Sequence, residues 1–120
     1  MKLSFAKNTS KYTLVDFWFS HCGPCLGQFP DYVRLFNIYR NKGFNIVGIS
    51  NDSSRKDVDA WKNAIQSNGL VWSQYRTGPE VISDLRITGF PTSFLLDESG
   101  KIVAKDLDTN QLAEFLKGNL

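Results

Sequence analysis

Thr13-Leu14-Val15-Asp16-Phe17-Trp18-Phe19-Ser20-His21-Cys22-Gly23-Pro24-Cys25 joins a short apolar run to a segment with helical spacing. Residues 13–19 are rich in strand formers and lack polar alternation, the pattern of a strand buried on both faces in a parallel sheet. Downstream, Phe29, Val33, Phe36 and Tyr39 or Arg40 recur at helical spacing, which predicts a helix from about Gly23 to Asn41. Lys42-Gly43 supplies its basic end and C-cap glycine, and Pro30 inside it is expected to introduce a kink. Cys22 therefore stands where a strand ends and a helix begins. Unpaired N–H groups and about half a positive charge gather at such a helix start. Both favour a thiolate and lower a cysteine pKa from its usual ~8.5. Cys25 lies about one turn further on, and residues so spaced bring their Cα atoms within the roughly 4.4–6.8 Å that a disulfide needs.

Working outward, Phe44–Ser50 reads as a second buried strand. Ser54 and Asp57 resemble a capping box, opening a helix with Val58, Trp61, Ala64 and Ile65 on its apolar stripe and Asn68-Gly69 at its end. Leu70–Tyr75 reads as a short extended piece, and Glu80–Leu85 as a brief helix carrying Val81, Ile82 and Leu85. Thr92–Leu96 and Lys101–Ala104, joined by Asp97-Glu98-Ser99-Gly100, form an expected hairpin. A last helix starts near Asp108, with Gln111 at the box position and Leu112, Phe115 and Leu116 facing inward. This order implies an α/β fold with a central mixed β-sheet and helices on both faces.

The 120 residues fit one domain spanning 1–120, with no repeat, low-complexity tract or composition break. Hydrophobic residues at 42% and charged residues at 22% are ordinary for a globular chain. The net charge of +2 is weak and its lysines and arginines are scattered, so no basic stripe for nucleic acid is present. No apolar run has the length of a membrane span. Met1–Asn8 lacks the continuous apolar segment of a signal peptide.

With two cysteines, no disulfide framework can form. A purely structural Cys22–Cys25 disulfide would close a tiny loop and gain little entropy. Zinc would need four ligands, and beyond the two cysteines there is a single histidine, His21. Haem attachment requires histidine after the second cysteine, where this chain has Leu26. No phosphate-cradling glycine loop is present, so no metal or tightly bound cofactor is expected.

Four pieces stand in order: Val15-Asp16-Phe17-Trp18, Cys22-Gly23-Pro24-Cys25, Phe29-Pro30, and Gly89-Phe90-Pro91-Thr92. On these residues the chain resembles thioredoxin-fold proteins, and most of all the TlpA/ResA branch of thiol–disulfide oxidoreductases. The likeness spans roughly residues 10–118, and the long insertion from about Ser50 to Arg86 suits that branch. The resemblance implies a thioredoxin-like fold and exchange of the Cys22–Cys25 pair with protein thiols or disulfides through a mixed disulfide. It implies a cis Pro91 packed opposite Cys22, with the Phe90 backbone offered to an extended substrate; cis peptides are essentially confined to proline. Asp16 matches the position of the family's buried acid, which helps move the proton of the second cysteine. His21, Gly23, Pro24, Phe90 and Trp18 are the expected substrate-facing residues, and a separate thiol donor or acceptor is implied.

Two departures qualify the likeness. His21 replaces the usual tryptophan before the first cysteine, where an imidazolium would stabilise the Cys22 thiolate. Gln28 stands where the branch tends to have glutamate, and glutamine cannot relay a proton. Trp61 and Trp72 fall in apolar patterns and are expected in the core. A thiol peroxidase on the same general fold is one alternative, although neither the proline nor the threonine of its motif precedes Cys22. A non-catalytic interaction module that keeps the fold is another. Relatives commonly carry a strand pair before the first strand, for which only about a dozen residues are present here. The chain is thus expected to be a segment of a longer protein, monomeric, from a bacterial periplasm or cell envelope.

Overall fold

The computed structural model describes residues 10–120 of the chain, so the reading of Met1–Asn8 lies outside the described residues. In chain order the elements are β1 (Tyr12–Trp18), α1 (Gly23–Tyr39), a short 3-10 turn (Arg40–Lys42), β2 (Phe44–Ser50), α2 (Arg55–Ser67), β3 (Ser73–Arg76), α3 (Pro79–Asp84), β4 (Thr92–Asp97), β5 (Ile102–Lys105) and α4 (Thr109–Asn119). The strands form one mixed sheet in the order β3-β2-β1-β4-β5. β1 runs parallel to β2, and β2 to β3, whereas β4 is antiparallel to both β1 and β5. Central β1 is buried along nearly its whole length, which is why its sequence shows no polar alternation.

Alternation of side chains along β1 sends Leu14, Asp16 and Trp18 to one face and Val15 and Phe17 to the other. The first face is covered by α1 and α4 through Phe29, Tyr32, Leu35, Phe36, Leu112 and Leu116, with Trp61, Ala64 and Ile65 of α2 packed at its margin. On the second face Val15, Phe17, Phe94 and Leu96 are capped by Ile82 and Leu85 of α3 and by Phe90.

The helix ends follow local chemistry. Ser54 accepts the Asp57 N–H at the start of α2, and Asp108 and Gln111 form a reciprocal capping box on α4. Gly43 ends the turn after α1 at φ 108°, a left-handed conformation that glycine adopts without penalty. Among the described residues no helix is long and apolar enough to cross a membrane.

Several expectations are corrected. The buried stripe of α1 is Cys25, Phe29, Tyr32, Leu35 and Phe36, rotated from the one expected, because Val33 and Tyr39 are half-buried and Arg40 is exposed. α1 ends at Tyr39, two residues short of Asn41. Val81 of α3 points to solvent, leaving Ile82 and Leu85 as its packed residues. Trp72 is buried against Phe36, while Trp61 is half-buried beneath the Arg76 guanidinium.

Candidate active site

After Trp18, the chain turns through Phe19-Ser20-His21 and enters α1 at Cys22. The Cys22 N–H donates to the Phe19 carbonyl at 3.1 Å, and the Leu26 N–H closes the first helical turn onto the Cys22 carbonyl. Cys22 is the N-cap: its backbone is extended, and its Sγ accepts the Cys25 N–H at 3.2 Å. A cysteine thus fills the place usually taken by a serine or aspartate oxygen. Pro24 in the first turn needs no donor there, and that turn has no acidic residue to oppose a negative sulfur. Cys22 and Cys25 are joined as a disulfide with Cα atoms 5.3 Å apart. Both are buried, Cys22 at 4% exposure and Cys25 at 1%, whereas His21, Gly23 and Pro24 around them are exposed.

The approach to the motif is held from the side by a residue the sequence did not single out. Asp52, just beyond β2, accepts the Ser20 N–H at 2.9 Å, the Ser20 hydroxyl at 2.7 Å and the Ser50 hydroxyl. Its carboxylate ties the turn before Cys22 to the end of β2. The local pattern suggested only a polar stretch ahead of α2, because the partner Ser20 lies 32 positions away.

The loop before β4 comes alongside. The Phe90–Pro91 peptide is cis. The Phe90 ring packs edge-on against Phe19 with centroids 5.5 Å apart, and the Thr92 hydroxyl donates to the Gly89 carbonyl at 2.6 Å. Phe17 pairs with Thr92 across β1 and β4, so the proline loop and the cysteine loop leave the sheet side by side. Phe90 and Pro91 are half-buried.

Asp16 lies below, on the face that α1 covers. It pairs in register with Gly48 of β2 and Ser93 of β4, and it is 1% exposed. Among the described residues its Oδ1 has no hydrogen-bond partner, and burial pushes its carboxyl from 3.8 up to about 7. Tyr32 of α1 faces it; burial first, and the Asp16 charge second, raise the phenol above its ordinary value. The Tyr32 hydroxyl donates to Gln28 Oε1 at 3.2 Å, which gives the glutamine a hydrogen-bonding place one turn beyond Cys25.

Trp18 is not at the surface. It is fully buried, stacks edge-on against Phe29 at 5.1 Å and donates its Nε1–H to Gln74 Oε1 at 3.1 Å. The expectation of a substrate-facing Trp18 is therefore corrected: even-numbered β1 side chains point beneath α1. The structure brings Cys22, Cys25, Gly23, Pro24, His21, Phe90 and Pro91 to one end of the sheet, with Asp16 and Trp18 in the layer below.

A family model described as Thioredoxin-like matches residues 9–102. Thiol-disulfide oxidoreductase ResA of Bacillus anthracis is 30% identical over 120 residues, covering 99% of this chain and 67% of that protein. Sporulation thiol-disulfide oxidoreductase A of Bacillus subtilis is 26% identical over 96 residues, covering 79% of this chain and 58% of that protein. The solved structure of a thiol-disulfide oxidoreductase from Bacteroides fragilis superposes with a TM-score of 0.82 at 36% identity, covering 96% of this chain and 86% of that one. With an N-capping cysteine bridged to its partner one turn on, the chain belongs to the thioredoxin-like family as a ResA-like thiol–disulfide oxidoreductase.

Proposed function

We propose that this chain passes electron pairs between its Cys22–Cys25 pair and an extended segment of a protein substrate docked against Phe90 and Pro91. In the reducing direction the Cys22 thiolate attacks one sulfur of a substrate disulfide. A Cys22–substrate bond forms and the first substrate thiolate leaves. Cys25 then gives its proton to Asp16 and attacks Cys22 Sγ. The second substrate thiolate leaves, and the Cys22–Cys25 disulfide has taken the oxidation that the substrate lost. A separate thiol donor restores the dithiol, and with the donor and acceptor exchanged the same steps run backwards.

The observation that carries this reading is the capping geometry. Cys22 Sγ of the disulfide accepts the Cys25 N–H at the positive end of α1, a position that would favour the thiolate once the pair is reduced. Exposed His21, Gly23 and Pro24 and half-buried Phe90 would meet the substrate, and buried Asp16 would take the proton. The chain acts as one monomeric domain outside the cytoplasm, in a periplasm or cell envelope, where exchangeable protein disulfides persist.

A Cys25→Ser variant mixed with a disulfide-containing protein such as insulin should accumulate a covalent adduct through Cys22, released by dithiothreitol. An unmodified Cys22 after that incubation, or an adduct formed equally well by a Cys22→Ser variant, would defeat the assigned order of attack.

A further inference from the structure

Two buried polar atoms of complementary chemistry lie on either side of Gly48. Among the described residues, Asp16 Oδ1 is an acceptor without a partner and Gln74 Nε2 is a donor without one. Asp16, Gly48 and Gln74 are consecutive register partners across β1, β2 and β3, so all three share the face that α1 covers. Neighbouring strands are about 4.8 Å apart, which puts the Asp16 and Gln74 Cα atoms roughly 10 Å apart, with Gly48 between them. Gly48 is what leaves that path open. A Cβ there would stand 2.1 Å from Gln74 Oε1 and 2.7 Å from Nε2, so the amide lies directly over the glycine.

Trp18 sets which way the amide turns. An indole N–H can only donate, so the atom it meets at 3.1 Å is the Gln74 oxygen, and the opposite –NH2 points elsewhere. Among the described residues, the other buried side-chain atoms without a partner are the indole nitrogens of Trp61, under Arg76, and Trp72, against Phe36.

We infer that Gln74 is a positioning residue for the exchange reaction: its Nε2 donor faces Asp16 across Gly48 and favours the carboxylate that takes the Cys25 proton. The inference rests on the proposed role of Asp16. The two atoms are not bonded to each other, so the donor acts across the intervening gap or through one bridging water. A donor aimed at a carboxylate favours its charged form and opposes the effect of burial. Also on this face are Cys25 and Tyr32 of α1 and Ser93 of β4, with Gln28 bonded to the Tyr32 hydroxyl and Asp106 beyond β5 acting on Tyr32.

The first test needs no substitution. In isotope-labelled reduced protein, the Gln74 side-chain amide protons should shift with the same pH midpoint as the Asp16 carboxyl carbon. Gln74→Met should raise the Asp16 midpoint by about one pH unit, and should move the pH profile of disulfide release from the mixed adduct by the same amount. Gly48→Ala, which displaces the amide, should raise the midpoint likewise and add nothing in the Gln74→Met background. Amide resonances that stay flat through the Asp16 titration, or an unchanged midpoint in Gln74→Met, would overturn the inference. Asp16→Asn separates the two ideas. If that variant releases substrate as fast as the parent, the role of Asp16 fails while the amide coupling can still be read. If it is slow and the amide resonances are flat, only the role of Gln74 fails.

Discussion

Asp16 and Asp52 are both buried aspartates, 1% and 3% exposed, at the same end of the sheet, and they are provided for in opposite ways. Asp52 is surrounded by donors from Ser20 and Ser50, and it ties two chain segments together. Asp16 sits under α1 with Oδ1 unpartnered, its carboxyl raised to about 7. Donors that satisfy a buried carboxylate make it a fastener. A carboxylate left short of donors is instead poised to gain or lose a proton near neutrality, as the proposed transfer from Cys25 requires. One residue type yields two devices, and the difference is made by the neighbours that the fold supplies.

The largest effect is expected at Asp16. The folded carboxyl keeps its proton up to about pH 7, whereas the unfolded one releases it near 3.8. Folding therefore takes up a proton between those values, and stability falls as pH rises through that window. The loss approaches about 4 kcal/mol by pH 8, at ~1.4 kcal/mol for each pH unit that separates the two values. Asp16→Asn should remove that slope. In urea melts it should gain stability relative to the parent steadily from pH 4 to pH 8, and a stability difference that does not vary with pH would sink the reading.

Asp52→Ala should cost about 3 kcal/mol, because it strands two hydroxyls and the Ser20 N–H in a buried site. The same variant should lower the rate of Cys22 alkylation at neutral pH by loosening the turn into α1. Equal stability to the parent would show that the fastener role is wrong. Smallest is the exposed Asp108, whose carboxylate caps α4 away from the cysteines. Asp108→Ala should cost about 1 kcal/mol in urea melts and leave disulfide exchange unchanged. A loss of exchange there would mean that the site depends on global stability rather than on its own buried acids.

Legibility followed the range of the interactions. β2 was readable at both ends, Phe44 and Ser50, because its apolar run is bounded by Gly43 on one side and polar residues on the other. The caps at Ser54 and Asp108 were readable because each bonds a residue three positions on. The stripe of α1 was misjudged because Tyr32 and Leu35 outcompete Val33 and Tyr39 for the sheet, and a spacing of three or four does not rank faces that all contain apolar residues. The family resemblance implies a substrate-facing Trp18, whereas strand alternation sends it inward. Gln74 drew no notice within a short polar strand, since its indole partner is 56 positions away.

By itself, the sequence determined the alternation of strands and helices, the helix ends, and a cysteine pair placed to cap a helix and close on itself, since each depends on residues within about a turn of one another. It took the assembled fold to grip Asp52, to bury Asp16 with Oδ1 unbonded, and to lay the Gln74 amide over Gly48. Those outcomes come from which strands lie side by side and which helix covers them, and burial turns such long-range placement into chemistry by withdrawing the water that would otherwise satisfy every polar group alike.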